Sequence, residues 1–154
     1  MPRPSNALIV DDEAHVRLFI RLLLKQLRIE TVWEAADGTE ALEQVAYHRP
    51  ELVLLDINMP EMNGLDVLAR IAHDYPGTPV IMVSSQNAMK TVLECRQMGA
   101  IAYVLKYAPR MEALKVIREA LDSLGEDDSE GDAGPVDDQD PDDDEEDGLD
   151  NAGL

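Results

Sequence analysis

The chain has 154 residues, 32 acidic and 13 basic side chains, a formal net charge of -19 and 45% apolar residues. That length predicts one domain able to bury a real core, and the acidity argues against direct nucleic-acid binding, which needs Lys and Arg to displace counterions. The N-terminal Met1-Pro2-Arg3-Pro4-Ser5 has no signal-like apolar stretch, no segment approaches a membrane span, and the lone Cys95 allows no intrachain disulfide, so a cytoplasmic location is expected.

Short apolar runs alternate with amphipathic stretches along the chain. The first strand is expected at 7–11, where Ala7-Leu8-Ile9-Val10 ends in Asp11-Asp12. A helix follows near 14–27, then a strand at 30–35. Asp37-Gly38 marks a turn, with Thr39 placed to cap a helix over 39–48. The third strand, 51–56, runs Leu52-Val53-Leu54-Leu55 into Asp56, and the chain turns through Ile57-Asn58-Met59-Pro60. A helix near 64–73 leads to a strand at 79–84 ending in Ser84. The helix near 87–98 holds Met89, Val92, Leu93 and Cys95, which places Cys95 in the core rather than in chemistry. The fifth strand, 101–105, ends before Lys106. The last helix, 109–124, repeats Leu114, Ile117, Leu121 and Leu124 at steps of three and four. Five strands alternating with five helices predict an α/β fold, a doubly wound parallel sheet covered on both faces.

Charge divides the chain in two. Residues 1–124 hold all 13 bases and 17 acids, a net of -4, while residues 125–154 hold 15 acids and no base, a net of -15. The second part has no aromatic residue and few large apolar ones, so it is expected to be a disordered acidic tail, with Pro135 and Pro141 in keeping with that. Asp143, Glu145, Asp147 and Gly148 begin like a calcium loop, but its twelfth position is Leu154 rather than Glu.

The chemistry collects at the carboxyl ends of the strands, where open parallel sheets bind ligands. The first, third, fourth and fifth strands end there in an acid pair, an acid, a hydroxyl and an amine. Each alone has a plain structural explanation: an Asp caps or turns, a Ser turns, a Lys is solvated. The ordered coincidence of four points to phosphoryl chemistry. Clustered acids would repel a phosphate unless a cation intervened, and Mg2+ prefers oxygen ligands and keeps sites for water and phosphate. Asp11 or Asp12, with Asp56, could hold it. The Ser84 hydroxyl and the Lys106 ammonium could then meet phosphoryl oxygens.

Four blocks carry a resemblance: Leu8-Ile9-Val10-Asp11-Asp12-Glu13, Asp56-Ile57-Asn58-Met59-Pro60-Glu61-Met62-Asn63-Gly64, Val80-Ile81-Met82-Val83-Ser84-Ser85, and Gly99-Ala100 with Tyr103-Val104-Leu105-Lys106. Over residues 5–124 the chain resembles the CheY-like receiver domains of two-component response regulators. The resemblance implies strand order 2-1-3-4-5. It implies Asp56 as acceptor of a phosphoryl group from a sensor histidine kinase or phosphotransfer protein. Asp12 would be the main Mg2+ ligand, with Asp11, Asp56 and the Asn58 backbone carbonyl completing the set. Lys106 would bind the phosphoryl group, Ser84 would move toward it, and Tyr103 would change rotamer with Ser84. Asn58 and Gln86 stand where the family tunes dephosphorylation. The face formed by the fourth helix, fifth strand and fifth helix would dock a downstream protein.

One departure stands out. The family places Pro after the strand-five Lys, in a cis peptide, whereas Tyr107 stands here. A cis bond before a non-proline residue costs about 3–4 kcal/mol, so either the bond is trans and the loop differs, or the strain is tolerated there. With no DNA-binding segment after 124, a stand-alone switch acting through protein contact is expected. A phosphate relay or sink, or a scaffold whose acidic tail is the interacting part, is the alternative. A flavodoxin-like cofactor binder would need a Ser/Thr/Gly-rich loop where Asp11-Asp12-Glu13 stands. A phosphatase of the haloacid-dehalogenase type would need a second Asp where Asn58 stands.

Overall fold

The computed structural model describes residues 3–133. Its elements follow in strict alternation: β1 (Asn6–Val10), α1 (Ala14–Gln26), β2 (Thr31–Ala35), α2 (Gly38–His48), β3 (Val53–Leu55), α3 (Gly64–Asp74), β4 (Val80–Ser84), α4 (Met89–Gln97), β5 (Ala102–Leu105) and α5 (Arg110–Ala133). All strand pairs are parallel and the order is β2-β1-β3-β4-β5, as the family resemblance implied.

The sheet is apolar on both faces because helices cover both. Leu8, Val10, Val53, Leu55, Val80 and Met82 form one buried cluster with Ala41 and Val45 of α2, Val67, Leu68 and Ile71 of α3, and Cys95 of α4. The intervening strand residues, Ala7, Ile9, Leu54 and Ile81, are fully buried and point the other way by strand alternation. There α1 buries Val16, Ile20, Leu23 and Leu24, and α5 buries Ala113, Leu114 and Ile117. Cys95 is a core residue, 1% exposed, with burial pushing its thiol up.

Local signals set the helix starts. Asp37, not Thr39, caps α2: its carboxylate accepts from the Glu40 amide at 2.8 Å, while Glu40 Oε1 accepts from the Ala36 amide at 2.9 Å. Glu40, three residues past the cap, thus reaches back to the amide just before Asp37, and no acid stands three residues past Thr39 to do the same. Asn63 caps α3 by accepting from the Leu65 amide at 2.6 Å.

The fifth helix departs from expectation. It continues past Leu124, the expected end of structure, through Gly125 to Ala133. No proline interrupts it, and Gly125 lies within the helix rather than ending it. Pro4–Ala120 forms one compact unit, and among the described residues 121–133 group with Arg3 in a second. The acidic stretch from 134 onward, with the disorder and the calcium-loop pattern expected of it, lies outside the described residues.

Candidate functional site

The parallel register brings the strand ends to one rim. Val10 pairs with Leu55, Leu55 with Met82, and Ser84 with Leu105. The residues one step beyond are therefore neighbours: the Asp56 amide donates to the Val10 carbonyl at 2.9 Å and the Lys106 amide to the Ser84 carbonyl at 2.8 Å. Asp11, Asp56, Ser84 and Lys106 are the buried polar side chains of the described residues. No apolar core requires these four, so their burial calls for mutual pairing.

That pairing centres on Lys106. Its Nζ lies 3.1 Å from Asp56 Oδ2, 3.0 Å from Glu13 Oε1 and 3.2 Å from Asp11 Oδ2. Only the first two contacts are hydrogen bonds. Asp11 Oδ2 is buried and accepts none, although the ammonium is close, so its lone pairs remain available. Asp11 Oδ1 is taken by the Glu13 amide at 2.8 Å. Carboxylate oxygens of Asp11, Asp12 and Asp56 lie within 4.8 Å of one another. Three hard oxygen donors, one buried and unbonded and one, Asp12, open to solvent, fit a Mg2+ ion with water completing its shell.

The electrostatics follow from crowding. Burial pushes the Asp56 carboxyl up to about 6, with the Asp11 charge adding to the rise and Lys106 opposing it. Burial also raises Asp11, against its hydrogen bond from the Glu13 amide and the Lys106 charge. Burial disfavours the Lys106 cation, yet hydrogen bonds to Glu13 and Asp56 hold it above its ordinary value. Its hydrogen bond to Lys106 lowers Glu13. The rim is thus a set of anions with one ammonium between them, poised for a further cation.

A second network lies beside it. The Gln86 side chain donates to Asn58 Oδ1 at 2.9 Å, and the Gln86 amide donates to Ser84 Oγ at 3.2 Å. Tyr103 Oη donates to the Gln86 carbonyl at 2.7 Å. Asn58 also reaches Asp56, its amide donating to Oδ1 at 3.4 Å.

Each residue singled out in the sequence lies at this rim or in this network: Asp11, Asp12, Asp56 and Lys106 at the centre, with Asn58, Ser84 and Tyr103 joined through Gln86. With Tyr107 after it, Lys106 still reaches the acids, and the loop closes with the Ala108 amide on the Leu105 carbonyl at 3.1 Å. Two participants carried no separate signal. Glu13, quoted only within the run Asp11-Asp12-Glu13 and given no role of its own, is an ion-pair partner of Lys106; a third acid in a row was the available hint. Gly64 lets α3 start against the site: an added Cβ would stand 1.9 Å from the Asp56 carbonyl oxygen and 2.7 Å from Ile57 Cα.

The chain is similar to known proteins. The family described as response regulator receiver domain matches residues 7–118. A protein-glutamate methylesterase/protein-glutamine glutaminase of Geobacillus kaustophilus is 43% identical over 104 residues, which is 66% of this chain and 30% of that protein. The chemotaxis protein CheY of Bacillus subtilis is 35% identical over 114 residues, 74% of this chain and 95% of the relative. The chain thus spans under a third of the first relative's length and nearly all of the second's. Among solved structures, a CheX–CheY–BeF3–Mg complex from Borrelia burgdorferi superposes with a TM-score of 0.71 at 29% identity, covering 76% of this chain and 89% of that one.

Proposed function

The chain belongs to the response regulator receiver domain family of two-component signalling, and from that premise we propose that it is a phosphorylation switch with Asp56 as its phosphoacceptor. The observation that carries this reading is the buried Asp56 carboxylate held 3.1 Å from the Lys106 ammonium inside an otherwise acidic rim. Such burial is costly and no packing need explains it.

Asp11, Asp12 and Asp56 with the Asn58 backbone carbonyl would hold Mg2+. The ion, when bound, supplies positive charge to the rim and so lets it accept another anion. Everything else falls to side chains of this chain. An Asp56 carboxylate oxygen attacks phosphorus in a phosphohistidine donor. The O–P bond forms, the P–N bond breaks, and the leaving imidazole keeps the electron pair and takes a proton from solvent. Lys106 stays charged through the whole working range and pairs with the added phosphoryl oxygens. Ser84 Oγ, now an acceptor from Gln86, has its own hydroxyl hydrogen to donate to the new group.

The output follows from the same contacts. Phosphorylation favours the state in which Ser84 and Lys106 reach the new oxygens, by the difference in their contacts. Tyr103, through Gln86, is the aromatic in position to feel that shift. Met89 and Leu93 of α4, Leu105 of β5 and Met111 of α5 are large apolar side chains exposed by 69, 49, 38 and 72%. Exposure of that kind supports a docking face for a downstream protein on α4, β5 and α5. We assign residues 1–124 to the receiver and 125–154 to an acidic tail, on the strength of the charge division, and the cytoplasm as the compartment, on the partner kinases expected. No helix among the described residues is long and apolar enough to cross a membrane. Self-phosphorylation and its hydrolysis are the only chemistry in this proposal.

Incubation with phosphoramidate, a P–N donor, and Mg2+ tests it. Label should enter the wild type and not Asp56→Asn; equal labelling of both removes Asp56 from its role. Capture of partners by phosphorylated and unphosphorylated protein separates docking from relay: identical partner sets favour a relay or sink.

A further inference from the structure

We propose that Arg17 is a positioning residue that clamps the acidic loop in the geometry its metal requires, an inference resting on the Mg2+ reading of Asp11, Asp12 and Asp56. Arg17 lies on α1, its side chain 18% exposed. Its Nη1 donates to the Asp11 carbonyl at 2.7 Å and its Nε to Glu34 Oε1 at 2.8 Å. Glu34 sits on β2, opposite Ile9 in register, and Arg21 fixes its other oxygen at 2.8 Å.

The consequence for Asp11 is specific. Its amide donates to the Ala35 carbonyl at 3.1 Å. Its own carbonyl is tied to the adjacent residue Glu34 through the guanidinium. Both faces of the Asp11 backbone are thereby anchored to β2, one directly and one through Arg17. Its Oδ1 is held by the Glu13 amide, so the unbonded Oδ2 keeps a defined direction. Asp12 and Glu13 continue from this anchored point. A planar guanidinium can meet two acceptors in fixed directions, which an ammonium cannot. Burial would raise Glu34, but hydrogen bonds from Arg17 and Arg21 outweigh it and keep it ionised, so the clamp persists across the working pH range.

Charge and position predict opposite signs. Arg17, Arg21 and Glu34 together carry a net positive charge, which opposes a second cation nearby. If Arg17 acted only through its charge, removing it would tighten Mg2+ binding. If it positions the loop, removing it weakens binding, as loss of an outer-shell support does by about tenfold or more.

Isothermal titration of Mg2+ into the full chain, comparing wild type, Arg17→Met and Arg17→Lys, decides between them. We expect weaker Mg2+ binding in Arg17→Met by about tenfold and a smaller loss in Arg17→Lys. Unfolding curves confirm that each variant is folded; should Arg17→Met not fold, Arg17→Lys carries the test, since it keeps the charge and loses only the fork. Unchanged or tighter binding in Arg17→Met, or wild-type affinity in Arg17→Lys, overturns the clamp while leaving the metal site standing. A wild type that binds no Mg2+ overturns the metal reading and the clamp with it.

Discussion

Replacing Asp56 by Asn should stabilise the fold at neutral pH in the absence of metal. The Asp56 carboxyl is raised from 3.8 to about 6 by burial and by the Asp11 charge. A carboxyl whose native value is raised is preferred protonated by the fold. Its favourable contribution is complete below about 3.8 and disappears as the pH climbs through about 6. The rise of about two units corresponds to about 3 kcal/mol of destabilisation at pH 7.5, at 1.36 kcal/mol per unit. Asn is isosteric with the protonated acid and its carbonyl can still accept from Lys106, which retains Glu13 and Asp11. Allowing for the weaker pairing, the variant should gain about 1–3 kcal/mol, or roughly 5–10 °C in Tm for a domain of this size. Thermal and urea unfolding in chelator, from pH 4.5 to 8, measure it. The gap between the two proteins should be widest near pH 8 and close toward pH 4.5. An Asn variant that is no more stable at pH 7.5, or a gap that ignores pH, would refute the argument that Asp56 is held charged against the preference of the fold.

Mg2+ should stabilise the wild type in the same assay by mass action, with little effect on Asp11→Asn; equal Tm gains in both would remove Asp11 from the ligand set. Gly64→Ala should cost roughly 3 kcal/mol or more, because its Cβ meets the Asp56 backbone at 1.9 Å and that backbone is pinned to β1; a loss below 1 kcal/mol in urea unfolding would show that α3 can retreat. Tyr103→Phe should lose about 1 kcal/mol with the hydroxyl's bond to the Gln86 carbonyl, and partner capture should lose part of its dependence on phosphorylation; a fully retained dependence would take Tyr103 out of the switch. Cutting after Leu124 should leave cooperative unfolding and labelling of Asp56 intact; loss of cooperativity would move the boundary into the continued α5.

What could be read from the sequence followed from periodicity. The runs Leu8-Ile9-Val10 and Leu52-Val53-Leu54-Leu55 are apolar without alternation because helices cover both faces of the sheet, and so they announce a parallel sheet. Strand ends then place Asp11, Asp56, Ser84 and Lys106 together with no further information, since parallel register aligns them. What could not be read involves long side chains reaching across elements. Lys106 binding Glu13, 93 residues earlier, and Arg17 binding Glu34 leave no periodic trace, because a charged residue on a helix or loop has several partners in reach. The Asp37 cap was legible in principle, as an acid, Glu40, stands three residues on, but Thr39 is an equally ordinary cap by residue type. The length of α5 was illegible for a different reason. The buried residues given for α5 run to Leu121, the charge change falls at Gly125, and helical backbone is not bound to either limit.

The central claim is tested most directly by locating the phosphoryl group itself. The wild-type chain should be incubated with a small acyl-phosphate donor and Mg2+, reduced with borohydride and digested, and its peptides sequenced by mass spectrometry. The account predicts a single modified residue, Asp56, formed only with metal present and absent in the chelator control. Modification at Asp11 or Asp12, or the same yield at Asp56 in chelator, would contradict it.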